Sequence, residues 1–245
     1  MTTTKPLAHG VHLVGSIPLQ SNDAVFRTAS SILGGRLRRI PDGETGERSD
    51  WIVWQAGVLQ RQPELALIPP DPGAYAPLPQ FTLRSATSGV TFGPLGYAGA
   101  ALASYVVFSR LKQEGVLPPH YRFQVSLPTP LAVMGAFIVP ENQVAVEPAY
   151  EERLLTELDT ILAAIPHDEA AIQWDVAIEV AMLEGVMPAP FQDVRERILE
   201  RLIRVGERVP ADVELGYHLC YGDAEHHHFS SNRTTCLHWW ILPTR

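Results

Sequence analysis

Cysteine is almost absent from this chain. Cys220 and Cys236 are the only two in 245 residues, too few for a disulfide framework and in keeping with a reduced, cytoplasmic protein. Positive charge is scarce as well: 19 Lys and Arg stand against 27 Asp and Glu, a net charge of -8, and nearly all the basic residues are arginine. Nucleic acid and anionic membrane surfaces require clustered cations, so neither is expected as a partner. The opening MTTTKPLAHG lacks the charged and then apolar order of a signal peptide. The longest run of small apolar residues, 96–108, is too short to span a bilayer and contains Ser104 and Tyr105. No glycine-rich phosphate loop, nucleophile elbow or HExxH motif is present. These absences leave a chain that is 46% hydrophobic, long enough to bury a sizeable core and short enough for one domain.

What is present is an alternation of strand-like and helix-like segments, the pattern of a parallel sheet with crossover helices. Strands are expected at 10–17 (GVHLVGSI), 37–40, near 90–92, and at 121–127 (YRFQVSL), 171–175 (AIQWD) and 213–220 (VELGYHLC). Helices are expected near 24–33, with Ser21 and Asp23 as caps, and over 50–62, 97–114, 150–165 and 193–208. The last is the clearest amphipath: Val194, Ile198, Leu202 and Val205 share one face, and Arg and Glu fill the other. The proline-rich stretch 63–80 reads as a surface excursion rather than an interdomain linker. Six βα units are legible, where a closed barrel needs eight. The expectation is an α/β chain of (β/α)8 TIM-barrel type over 1–229, ending before the barrel closes, with an atypical tail at 230–245.

In such barrels the reactive groups lie at the carboxyl ends of the strands. Those positions carry Ser16, the 42–47 loop with Glu44, then Ser126, Asp175, and His218 with Cys220. His218 and Cys220 are two apart on a strand and face the same side, where an imidazole and a thiol can share a zinc ion. A satisfied core histidine beside a buried cysteine is the competing reading. Asp175 ends an otherwise apolar strand, so it either faces a polar cavity or caps the next helix. Glu44 shares its loop with Asp42 and Glu47, and charged loops are usually just solvated. The run His226-His227-His228 beside Glu225 reads as an exposed loop or an adventitious metal binder.

Five of these segments, in order, resemble the catalytic barrel of cobalamin-independent methionine synthase. Val14-Gly15-Ser16-Ile17-Pro18 is similar to that family's first strand, Ile-Gly-Ser-Phe-Pro. Asp42-Gly43-Glu44, followed by Arg48-Ser49-Asp50, is similar to its His-Gly-Glu and Arg-x-Asp, with one extra residue between. Ser126-Leu127-Pro128-Thr129-Pro130 stands where the family has a Gly-Pro turn. Ile172-Gln173-Trp174-Asp175 matches Ile-Gln-x-Asp without the Glu-Pro pair that follows it there. His218-Leu219-Cys220-Tyr221 matches His-x-Cys-Tyr.

The resemblance implies a zinc-dependent methyl transfer to a small, homocysteine-like thiol. It implies that Ser16 holds the carboxylate end of an amino-acid substrate and that Glu44 and Asp175 hold its ammonium, with Asp175 catalytic. His218 and Cys220 would be two zinc ligands. The family's other ligands, a Glu and a second Cys, belong to two strands that find no match here, and its separate folate-binding half has no counterpart. Two alternatives stand beside it. One is a metal-free barrel like the uroporphyrinogen decarboxylases, which grip substrate carboxylates with arginines such as Arg38, Arg39 or Arg48. The other is a catalytically silent, truncated barrel whose open sheet edge would draw copies into a homo-oligomer.

Overall fold

Ser21 starts α1 (Asn22–Leu33): its hydroxyl accepts from the Ala24 amide at 3.2 Å. Asp23, the other expected cap, pairs instead with Arg27 and Arg110, each at 2.7 Å. Gly34 ends the helix and β1 (Arg39–Pro41) follows. α2 (Gln55–Gln60) is shorter than expected, because 51–54 form turns. Within the proline-rich stretch, β2 (Leu65–Ile68) and β3 (Gln80–Leu83) pair antiparallel, an element that the surrounding prolines hid from sequence inspection. The chain continues through α3 (Tyr97–Gln113), β4 (Arg122–Pro128), α4 (Pro130–Phe137) and α5 (Pro140–Ala164). It then runs through β5 (Ala170–Val176), α6 (Ile178–Leu183), α7 (Val194–Glu207) and β6 (Glu214–Leu219). This computed structural model describes residues 10–70, 73, 78–85 and 89–222, so the expected tail at 230–245 and the histidine run lie outside the described residues.

β1, β4, β5 and β6 form one parallel sheet in that order. The described chain is therefore mixed α/β, with four parallel strands where sequence inspection expected six. The expected strands at 10–17 and near 90–92 join no ladder. Residues 10–17 are tied down by other means. Val11 donates to the Arg36 carbonyl and Ile17 to the Gly43 carbonyl, each at 2.9 Å. Between those anchors the Leu13 and Val14 carbonyls accept from side-chain amides of the sheet rather than from a neighbouring strand. Alternating apolar residues in that segment signal an extended chain, but they do not name its hydrogen-bond partner.

Each strand divides its side chains between two faces. Phe123 of β4 meets Phe26 and Phe108 with ring centroids 5.5 to 6.2 Å apart, so its face packs on α1 and α3. Trp174 and Ile172 of β5 are fully buried in the same core. α7 is tied to α5 by three charged rungs: Glu147 with Arg201, Glu151 with Arg204 and Asp159 with Arg208, at 2.5 to 2.6 Å. The other face of the sheet is polar. No helix among the described residues is long and apolar enough to cross a membrane.

Candidate functional site

The polar face rises in three tiers from the amino to the carboxyl ends of the strands. At the bottom, Glu214 bridges Arg39 and Arg122 at 3.2 Å each. In the middle, two buried glutamines hold the 10–17 segment. Gln124 Nε2 donates to the Leu13 carbonyl at 3.0 Å and the Val14 carbonyl at 3.1 Å. Gln173 Nε2 donates to the Val14 carbonyl at 2.6 Å and to Asp175 Oδ1 at 2.8 Å, while its Oε1 lies 2.7 Å from His12 Nε2. Sequence inspection passed over both glutamines; two amides at alternate positions of neighbouring strands, on the same face as Ser126 and Asp175, were the available signal.

The top tier carries the chemistry. Register sets Asp175 opposite His218 across β5 and β6, and Asp175 Oδ1 lies 3.1 Å from His218 Nδ1. The hydrogen bond to Asp175, then one with the Cys220 thiol, raise the imidazole to about 9 against the opposing effect of burial. The Cys220 amide donates to the Val176 carbonyl at 2.8 Å, which extends the β6 ladder by one residue and keeps Cys220 on the His218 face. Asp175 does not cap the helix that follows it: Ala177 stands at the N-cap of α6, which has no side-chain cap.

Glu44 approaches from the loop after β1. Its φ of 50° is in the left-handed region, strained for a residue with a side chain. Asp42 holds it there, with Oδ1 accepting the Glu44 amide at 3.0 Å and Oδ2 taken by Arg48 and the Ser104 hydroxyl. Gly43 before it, at φ 80°, packs so close to Val25 that a Cβ would lie 2.5 Å from Cγ2. The Ser16 hydroxyl donates to Glu44. Burial pushes the Glu44 carboxyl up to about 7; the Ser16 hydrogen bond opposes this, and the charges of Asp175 and Asp42 add to it. Ser16 thus meets Glu44, and His218 meets Asp175 and Cys220, with Glu44 and Asp175 close enough to feel each other's charge.

A zinc ion at the expected donors, His218 and Cys220, would have two protein ligands. Among the described residues no group of three or more His, Cys, Asp and Glu is placed to share a metal. The arginines are committed elsewhere: Arg48 to Asp42 and Arg39 to Glu214, while Arg38 is exposed.

One further carboxyl lies just beyond β5. Glu179 on α6 is fully buried; one oxygen accepts from the Thr129 hydroxyl and the other has no partner. Burial raises it to about 7, with the nearby charge of Glu147 contributing. Comparison of the chain with family models, curated proteins and solved structures returns no match.

Proposed function

We propose that this chain is a methionine-synthase-like enzyme on a (β/α)8-type scaffold, transferring a methyl group to a small, homocysteine-like thiol with His218 and Cys220 as zinc ligands. The observation that carries the reading is the 3.1 Å contact of Asp175 with His218 Nδ1. A carboxylate on one ring nitrogen orients a histidine to offer the other to a metal, and here that other nitrogen is Nε2, with Cys220 on the same face. Imidazole and thiol suit zinc in kind, and two protein ligands leave positions of a tetrahedral shell open to a substrate sulfur. Bound zinc would lower the pKa of the substrate thiol and hold it as a thiolate near neutral pH.

The chain's own side chains do the rest. Glu44 and Asp175 receive the substrate ammonium, whose charge offsets the burial and the lesser carboxylate repulsion that raise Glu44. Ser16 then turns its exposed hydroxyl from Glu44 to the substrate carboxylate. The metal-free alternative gains nothing from the arginines, since Arg48 and Arg39 already neutralise Asp42 and Glu214.

Elemental analysis of zinc-equilibrated protein tests the reading. Wild type retains one zinc per chain and binds homocysteine by calorimetry only when zinc is present. His218→Ala and Cys220→Ser lose the metal, and Asp175→Asn weakens it by about 10- to 100-fold. Folded wild-type protein that takes up no zinc ends the reading.

A further inference from the structure

Around the cavity beside Glu44 the fold leaves two buried polar atoms without a partner, the Tyr97 hydroxyl and Gln124 Oε1. Gln124 is 2% exposed, and its amide nitrogen faces the Leu13 and Val14 carbonyls, the Ser126 hydroxyl and Gln173 Oε1. Those acceptors fix which way the amide points, because a flip would set its oxygen against two carbonyls. Gln124 Oε1 is thereby buried with no donor to meet it. Such an atom costs free energy unless something in its cavity answers it.

Gln124 lines a cavity of about 10 Å³ together with Asp42, Glu44, Arg48, Tyr97 and Ser126. That is room for one occupant the size of a water molecule. Its charge follows from its surroundings. Two carboxyl groups, Asp42 and Glu44, line the cavity, and Asp175 adds its charge at Glu44. Arg48 is the one cation among the lining residues, and Asp42 already holds it. A water would satisfy Gln124, whereas a cation would also answer the carboxyl groups that line the cavity and favour the ionised form of Glu44. A divalent metal would bring coordinated waters for which there is no space.

We propose that this cavity binds a monovalent cation of water's size, potassium or ammonium, through oxygens of Glu44, Gln124 and Ser126. The site shares Glu44 with the ammonium contact of the methyl-transfer reading, but neither zinc nor a thiol takes part in it, so zinc uptake and the salt dependence of Tm test the two separately.

Thermal unfolding of the full chain in LiCl, NaCl, KCl or NH4Cl at one ionic strength tests it. Potassium or ammonium raises Tm above its value in lithium by about 3 to 5 °C at roughly ten times the dissociation constant, and the rise saturates. Glu44→Gln, which keeps the shape and removes the charge, abolishes the difference; Ser126→Ala reduces it. Equal Tm values for wild type in all four salts mean that the cavity holds water, and overturn the proposal. So does an ion-specific rise that persists undiminished in Glu44→Gln. Thallium(I) NMR on wild type, which needs no variant to fold, should show a bound signal displaced by potassium, and its absence is equally decisive against the site.

Discussion

Glu179→Gln should stabilise the protein at pH 8 and leave it almost unchanged, or slightly weaker, near pH 5. The Glu179 carboxyl is fully buried, satisfied on one oxygen only, and held at about 7 instead of its ordinary 4.5. A folded-state pKa above the unfolded value means that the folded protein binds the extra proton between those two limits. Stability from this group is therefore intact below about pH 4.5, falls as the pH rises, and reaches its minimum above about 7. At 1.36 kcal/mol for each pH unit between the two values, the full loss is about 3 kcal/mol. Glutamine keeps the shape and cannot ionise, but its amide NH2 takes the place of the oxygen without a partner, and donors buried unmet cost about 1 kcal/mol. The net gain at pH 8 is about 2 kcal/mol, or about 4 to 8 °C in Tm for a chain of this size. Urea unfolding of both proteins at pH 5, 6, 7 and 8 measures it. A difference that does not change with pH, or a glutamine variant less stable at pH 8, would refute the account of Glu179.

Other perturbations follow the same logic. Asp175→Asn should bring the His218 titration in proton NMR from about 9 back toward 6.5. The stability that this pair confers is complete below pH 6.5 and disappears as the pH climbs through about 9, so the variant should lose most of its penalty in alkaline buffer. Glu157 of α5 accepts the Leu95, Gly96 and Ala98 amides at the start of α3, whose own cap residue is glycine. Its replacement by alanine removes the acceptor of all three and leaves the Leu95 amide buried, and chemical denaturation should show a cost of about 2 to 3 kcal/mol. Phe123→Ala opens a hole where three aromatic rings meet, with an expected loss of about 3 to 5 kcal/mol. Gly43→Ala should displace Glu44 by forcing Cβ into Val25; unchanged crystallographic positions for both residues would contradict the contact.

Much of this protein was legible before any coordinates. β4, β5, β6, α1, α3 and α7 lie within a residue or two of their expected positions, because hydrophobic period, a serine cap and prolines at element ends are local signals. Ser16, Glu44, Asp175, His218 and Cys220 were likewise singled out by residue type at strand ends. The pairing of the strands was a different matter. Residues 10–17 have the alternation of a strand, yet their carbonyls go to Gln124 and Gln173, more than a hundred residues away. Nothing within that segment encodes the choice. The strain at Glu44, the orphaned oxygen of Gln124 and the raised Glu179 also arise only after distant elements pack. Periodicity and capping are properties of neighbouring residues and can be read from their order. Hydrogen-bond partners, burial and the charge states they impose depend on which surfaces meet, and tertiary structure alone decides that.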